Sequence, residues 1–289
     1  MRRRYLQLDV FADRPGAGNP LGVVVDADGL DGAAMQAIAS WTNLSETIFL
    51  LPPNAGADYR VRIFTPRQEL PFAGHPSVGA AWAVLDQGLA TPRAGALVQQ
   101  CAAGLLPVRI AGDAADARPS VRAPRALLRM PPDGVEALLD TALRTMGAGD
   151  AAHALLDNGP RWWCVDLVEA AAVRALVPPL NDIAALCLAS DAVGLAVCGR
   201  SDADDHAFAV RAFCPQDGIA EDPVTGSANA AIAAWLHTDR AGAGEVVRYV
   251  ASQGRELGRD GRVEVEIDPA GEVWIGGAVQ AVIRGTFDW

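Results

Sequence analysis

The chain has 289 residues, 24 basic against 35 acidic, a net charge of −11 and a pI near 4.8. An acidic chain without a basic stripe argues against nucleic acid or an anionic membrane as partner, and this length suffices for two domains of ordinary size, each with its own core. All 24 basic residues are Arg, so no side-chain Schiff base can form, and a Walker-type phosphate loop lacks its lysine. The cysteines, Cys101, Cys164, Cys187, Cys198 and Cys214, are scattered without a Cys-x-x-Cys, as expected of free thiols in the reducing cytoplasm. Leu6–Val10 is too short and too polar for a signal peptide, Arg2–Arg4 read as exposed charges, and no apolar run approaches a membrane span.

Tyr5–Phe11 alternates as a strand does, and Pro15–Pro20 is a loop. Leu21–Val25 reads as a buried strand, and Asp31–Trp41 has helical spacing with Asp31 as N-cap. Asn43–Glu46 turns the chain into the apolar strand Ile48–Leu51, and Pro52–Ala57 turns it again. Tyr59–Phe64 is a strand that leads through Pro66, Pro71 and Gly74 into an Ala-rich helix. Leu97–Cys101 and Pro107–Ile110 are strands. The polar, Pro/Arg-rich text from Ala111 to Pro132 marks a domain change near residue 115. Beyond it come a helix at Val135–Met146, a strand at Arg161–Val168, short helices at Ala171–Leu176 and Asn181–Ala189, and a strand at Val193–Val197. His206–Phe213 leads into a second loop and Ala-rich helix. Val246–Gln253, Arg262–Ile267, Val273–Gly276 and Ala278–Arg284 are closely spaced strands.

The two loop–helix segments are copies of one another. Arg62-Ile63-Phe64-Thr65-Pro66 answers Arg211-Ala212-Phe213-Cys214-Pro215, Leu70 answers Ile219, and Gly74-His75 answers Gly226-Ser227 with three extra residues in the second copy. Gln100…Gly104…Val108 resembles Gln253…Gly258…Val263, and Gly18-Asn19-Pro20 loosely resembles Asn158-Gly159-Pro160. The expected fold is α+β: two pseudo-symmetric domains, each a mostly antiparallel, barrel-like sheet around a central helix. Their bounds are 1–115 and 116–279, with 280–289 a candidate to return to the first. Strand–helix alternation is too irregular for a doubly wound sheet.

A strand that turns through Gly into a helix presents unpaired N–H groups and a positive dipole end, which suits an anion. One such turn is commonplace. Two at matched positions point to a site for a small carboxylate at Gly74-His75 and Gly226-Ser227, against the plainer reading of tight turns with Ser227 as an N-cap. His75 at a helix N-terminus is expected to be neutral. Glu46, beside the apolar run Ile48–Leu51, is a candidate acid/base, though a solvated glutamate at a strand start is the plainer reading. Asp222 has no counterpart in the first copy and is a candidate for specialisation, where Glu221-Asp222 otherwise reads as helix capping. His153, His206 and His237 stand in unremarkable contexts, and no His/Cys spacing suggests a metal.

Gly18-Asn19-Pro20, Asn43-Leu44-Ser45-Glu46-Thr47, Phe64-Thr65-Pro66…Glu69-Leu70-Pro71-Phe72-Ala73-Gly74-His75-Pro76 and Glu221-Asp222-Pro223-Val224-Thr225-Gly226-Ser227-Ala228 occur in this order. The set resembles the phenazine-biosynthesis PhzF-like isomerase/epimerase family, which has the two-domain diaminopimelate epimerase fold. The resemblance implies a homodimeric isomerase without cofactor. In it Glu46 shuttles the proton, His75 and Asp222 flank the substrate, and Asn19, Ser45, Gly74, Gly226 and Ser227 belong to the binding site in the cleft between domains. Two-thiol racemases of this fold carry paired cysteines where this chain has Ala73 and Asp222, which disfavours that chemistry. The substrate class is a small carboxylate, amino-substituted and unsaturated. The alternatives are an amino- or hydroxy-acid epimerase on the same scaffold and a non-catalytic metabolite-binding homologue.

Overall fold

A computed structural model describes residues 1–112, 116–238 and 242–289, so the domain change placed near residue 115 lies outside the described residues. The chain divides into two compact units, Met1–Arg122 with Gly276–Trp289, and Ala123–Ile275.

The first unit contains β1 (Arg2–Val10), β2 (Asn19–Val24), α1 (Gly32–Thr42), β3 (Glu46–Leu51), β4 (Tyr59–Phe64) and β5 (Glu69–Leu70). α2 (Gly74–Asp86), β6 (Ala96–Cys101), β7 (Gly104–Ala111) and β8 (Arg118–Arg122) follow. β1 pairs antiparallel with β2, β2 parallel with β3, β3 antiparallel with β4, β4 parallel with β6, and β6 antiparallel with β7, which pairs with β8. α2 touches β1, β2, β3, β4, β6 and β8, so the sheet wraps around it. That enclosure explains its composition. A helix with strands on most sides has room only for small side chains, and Ser77, Gly79, Ala80, Ala81 and Ala83 are all buried. α1 follows the expected pattern: Asp31 accepts a hydrogen bond from the Ala34 N–H, and Met35, Ile38 and Ala39 pack on Phe49 and Phe64.

The second unit contains β9 (Leu127–Arg129), α3 (Glu136–Thr145), β10 (Ala152–Asp157), β11 (Arg161–Glu169), α4 (Ala170–Ala175), α5 (Leu180–Ser190) and β12 (Gly194–Arg200). β13 (Phe208–Cys214), β14 (Ile219–Asp222), α6 (Gly226–Leu236), β15 (Val247–Gln253), β16 (Gly261–Ile267) and β17 (Val273–Gly276) complete it. β10 pairs antiparallel with β11, β11 parallel with β12, β12 antiparallel with β13, β13 parallel with β15, and β15 antiparallel with β16. The order of pairings found in the first unit thus recurs. α6 is again built of buried Ala and Gly, and it packs on β10, β11 and β16. The last strand, β18 (Val279–Asp288), runs antiparallel along β1 from Val10 to Arg2.

Several details depart from the sequence reading. β8, β9 and β10 lie in text that gives no strand signal: β8 carries Pro119 and short alternate side chains, and β9 is exposed throughout. Arg3 is not an exposed charge. It is 6% exposed and donates to the backbone carbonyls of Asp26 and Asp28. The match of Gln100 to Gln253 is displaced by one residue. The repeat aligns Tyr59 with Phe208; Tyr59 stands opposite Gln99 and Phe208 opposite Ala251, so Cys101 occupies the position of Gln253.

Helix propensity alone predicts that Gly79→Ala stabilises by about 1 kcal/mol. A Cβ there would collide with Leu21 and press on Val10, both fully buried. Overpacking of this kind costs about 1–3 kcal/mol, so the substitution is expected to lower stability, as read by urea titration of the two proteins.

Candidate active site

In the first unit the site is assembled from the starts of two strands and one helix. Asn19 opens β2 and Glu46 opens β3, and these parallel neighbours pair Leu21 with Glu46. Asn43 takes the left-handed conformation (φ 52°) that ends α1 and turns the chain toward Glu46. Ser45 donates to the Asn19 side chain at 3.5 Å, and Asn19 is 1% exposed. His75 is the second residue of α2, with its ring buried. Its Nε2 lies 3.4 Å from Glu46 Oε2, and the Glu46 side chain is 17% exposed. The sequence candidates Glu46 and His75 are therefore neighbours, and Ser45 and Asn19 meet beside them.

His75 Nε2 makes no hydrogen bond, although Glu46 Oε2 lies 3.4 Å away. Burial pushes the His75 pKa down to about 3, and the Pro20 hydrogen bond opposes this only in part. The pair with Glu46 is accordingly not an ion pair at neutral pH. Neutrality was expected from the helix dipole, but the main cause is burial.

Around His75 the helix start is bare of side-chain caps. The N-cap is Ala73, and Pro76 has no N–H, so the N–H groups of Gly74 and His75 are the first-turn donors without intrahelical partners.

In the second unit, α6 starts at Gly226 with Thr225 as N-cap, not Ser227. Thr225 turns its hydroxyl outward from the helix and donates to Asp222 Oδ2 at 2.5 Å. The fully buried Gln253 organises this turn. Its Nε2 donates to Thr225 Oγ1 and to the Asp222 carbonyl, and its Oε1 accepts from the Thr225 N–H and from Asn229. Because Thr225 Oγ1 accepts from Gln253, its own hydrogen is available to Asp222. Ser227 accepts from the Trp162 indole at 3.2 Å, and its carbonyl accepts from Asn158 at 2.8 Å. Glu221 does not cap the helix; it forms a bidentate pair with Arg211, both nearly buried. Asp222, Gly226 and Ser227 thus lie on one turn, held by Thr225, Gln253 and Asn158.

Pro20, Asn158, Thr225 and Gln253 were not singled out in the sequence as site residues. Pro20 and Thr225 stand inside the motifs that carry the family resemblance, and Asn158 and Gln253 were signalled only by the loose match of Asn19-Pro20 to Asn158-Gly159-Pro160 and the displaced match at Gln253. Arg62 and Arg211 show the repeat at full strength: each pairs bidentately with a glutamate on the next strand, Glu69 or Glu221, and each lies 5.1 Å from the ring of Phe64 or Phe213. Among the described residues no group of three His, Cys, Asp or Glu side chains is placed to hold a metal. The arrangement offers one carboxyl beside a neutral ring in the first unit, and a carboxylate with helix N–H groups in the second.

His75 also carries a stability consequence. A buried neutral histidine takes no proton down to about pH 3, while its unfolded counterpart takes one near pH 6.5. Between these values the unfolded state binds more protons, so stability rises with pH and is lost as pH falls below 6.5, by up to about 1.4 kcal/mol per unit from this group. Urea titrations between pH 4.5 and 7 are expected to show His75→Gln with a shallower pH slope than the natural protein, by as much as one proton.

The protein-family model "Phenazine biosynthesis-like protein" matches residues 8–285. The chain is 36% identical over 274 residues to the trans-2,3-dihydro-3-hydroxyanthranilate isomerase of Pseudomonas aeruginosa, covering 93% of this chain and 92% of that protein. It is 34% identical over 290 residues to antisense-enhancing sequence 1 of Schizosaccharomyces pombe, covering 97% of each. Among solved structures, "a Predicted Epimerase" from Pseudomonas aeruginosa superimposes with a TM-score of 0.77 at 32% identity, over 99% of each chain. A match across nearly the whole chain, with the motif residues Glu46 and His75 in contact, makes this protein a member of the phenazine biosynthesis-like family and an isomerase.

Proposed function

We propose that this isomerase moves a proton between two carbons of a small unsaturated carboxylate that carries an amino group, with Glu46 as the single acid/base. The Glu46 carboxylate takes a proton from an allylic carbon, and the electron pair delocalises along the unsaturated system. The resulting carboxylic acid then returns the proton to a second carbon on the same face. One C–H bond breaks and one forms, with no net oxidation or loss of a group. The observation that carries this reading is the neutral His75 ring 3.4 Å from Glu46. The neutral ring can accept a hydrogen bond from Glu46 while that group holds the proton, and it adds no charge that would lock Glu46 as a carboxylate.

Substrate carboxylate binding is assigned to the N–H groups that begin α2 and α6, and the amino group to Asp222. Acid–base help of this kind is typically worth about 10²–10⁴-fold, the remainder coming from positioning and from donors aimed at developing charge. The relative's substrate, trans-2,3-dihydro-3-hydroxyanthranilate, heads the panel of compounds to try, followed by other amino-substituted unsaturated acids and enantiopure amino acids. An outcome of inversion at one carbon, without migration of a double bond, would favour an epimerase instead.

The test is turnover and hydrogen exchange in D₂O on the best compound of that panel. Glu46→Gln is expected to lower both by at least about 10²-fold; unchanged exchange and turnover would remove Glu46 from its role. Asp222→Asn is expected to raise KM or lower kcat for the same substrate. If neither parameter moves, the second unit takes no part in that site.

A further inference from the structure

We infer that Thr225 is a positioning residue that holds Asp222 as a carboxylate, and that the Gln253 amide fixes the direction of the hydrogen bond through which it does so. The inference rests on the reading of Asp222 as the partner of the substrate amino group, and adds what keeps that side chain in the form an ammonium group needs.

An N-cap threonine ordinarily turns its oxygen back to accept from an N–H of the first helical turn. Thr225, the N-cap of α6, makes no such bond. Its hydroxyl donates to Asp222 Oδ2 at 2.5 Å. Helix stability alone would select the cap, so the outward hydroxyl calls for another explanation. The fully buried Gln253 supplies its direction. Oε1 of Gln253 accepts from the Thr225 N–H at 3.0 Å, a group that can only donate. Nε2 donates to the Asp222 carbonyl at 3.0 Å, a group that can only accept. A flipped amide would set N–H against N–H and oxygen against oxygen. Nε2 also donates to Thr225 Oγ1 at 2.9 Å. That oxygen is therefore an acceptor toward Gln253, and its one hydrogen goes to Asp222. A carboxyl group that receives a hydroxyl hydrogen is favoured in its charged form.

The strands beneath make this arrangement rigid. Gln253 ends β15, paired with Val210 of β13 on one side and with Gly261 of β16 on the other. The turn sits directly on that end: a Cβ at Gly254 would meet the Pro223 carbonyl, and one at Gly261 would meet Val224. The first unit shows that a helix can be anchored without this residue. There Gln99, also fully buried, accepts from the Tyr59 hydroxyl and donates to Ser77, the fourth residue of α2. Asn229, which donates to Gln253, is the fourth residue of α6. The unit whose turn carries the carboxylate is thus the unit whose glutamine reaches the turn.

The test follows Asp222 itself, in full-length protein labelled with ¹³C at the aspartate carboxyl carbon and titrated downward from pH 7. Loss of one signal in Asp222→Asn assigns the residue. The charged side chains of the neighbouring segments, Glu221 with Arg211, Arg174 with Glu256, and Arg255 and Arg262 with Asp260, are the same in every other variant. The natural protein is expected to hold Asp222 ionised throughout the neutral range. Thr225→Val, which keeps the shape and loses the hydroxyl, is expected to raise the midpoint by at least about one pH unit. Thr225→Ser, which keeps the hydroxyl, should restore the natural midpoint. Gln253→Met, which keeps the bulk and loses the donor, is expected to raise it as well. If that variant does not fold, Gln253→Cys, the residue type the first unit carries at the matching position, takes its place. A purely structural role would lower the melting temperature of these variants and leave the midpoint where it was. An unmoved midpoint in folded Thr225→Val overturns the inference, as does a natural protein with Asp222 protonated at pH 7. An unmoved midpoint in the Gln253 variant overturns the part assigned to the amide, and failure of both Gln253 variants to fold makes that residue structural and does the same. The titration needs no substrate, so its outcome is read separately from the KM and kcat of Asp222→Asn.

Discussion

The packing of α2 against β2, which buries the His75 ring, is the contact on which the candidate site depends. It removes the imidazole from water, and magnitudes show why this decides the charge of the ring. A helix dipole acting on a group at its end is worth about 0.3–1 kcal/mol, less than one pKa unit. The fall from 6.5 to about 3 corresponds to several times that energy. Desolvation therefore sets the state of His75, and the helix end is a smaller influence of the same sign. A neutral ring places no positive charge next to the Glu46 carboxyl group.

The enclosure of α2 and α6 is the larger constraint behind that contact. A helix surrounded by strands has few polar places apart from its ends, and its small side chains bring the strands close to its axis. Glycine and alanine in these helices serve this packing, as the space around Gly79 shows. Parallel pairing of β2 with β3 then brings two strand starts, Asn19 and Glu46, to the level of the helix N-terminus. Each unit repeats the pairing order and holds its turn with an arginine that grips a glutamate and lies over a phenylalanine. The copies differ in what they present: a carboxyl group against a neutral ring in the first unit, a carboxylate that accepts from Thr225 in the second. The candidates His75 and Asp222 both stand where the matched turns differ between the two units.

The first unit also shows strain placed beside the site and not in it. Phe11 in a left-handed conformation and Asp9 with an unpaired oxygen both lie in the loop that delivers Pro20. Neither is what maximal stability would select.

The linear order of residues was enough for the family, the α+β class, most strands and helices and the Asp31 cap, and it raised Glu46, His75, Asp222 and Ser227 as candidates. These are local: alternation, helical spacing and matched turns are written in neighbouring residues, and the family motifs are contiguous. What the chain order could not convey was long-range and carried by groups without a signature. Arg3 looks like any surface arginine until it folds onto the carbonyls of Asp26 and Asp28. Gln253 is far along the chain from Asp222 and Thr225, and β8 hides behind a proline. Burial, too, belongs to the fold alone, and it was burial of the ring that decided the charge of His75.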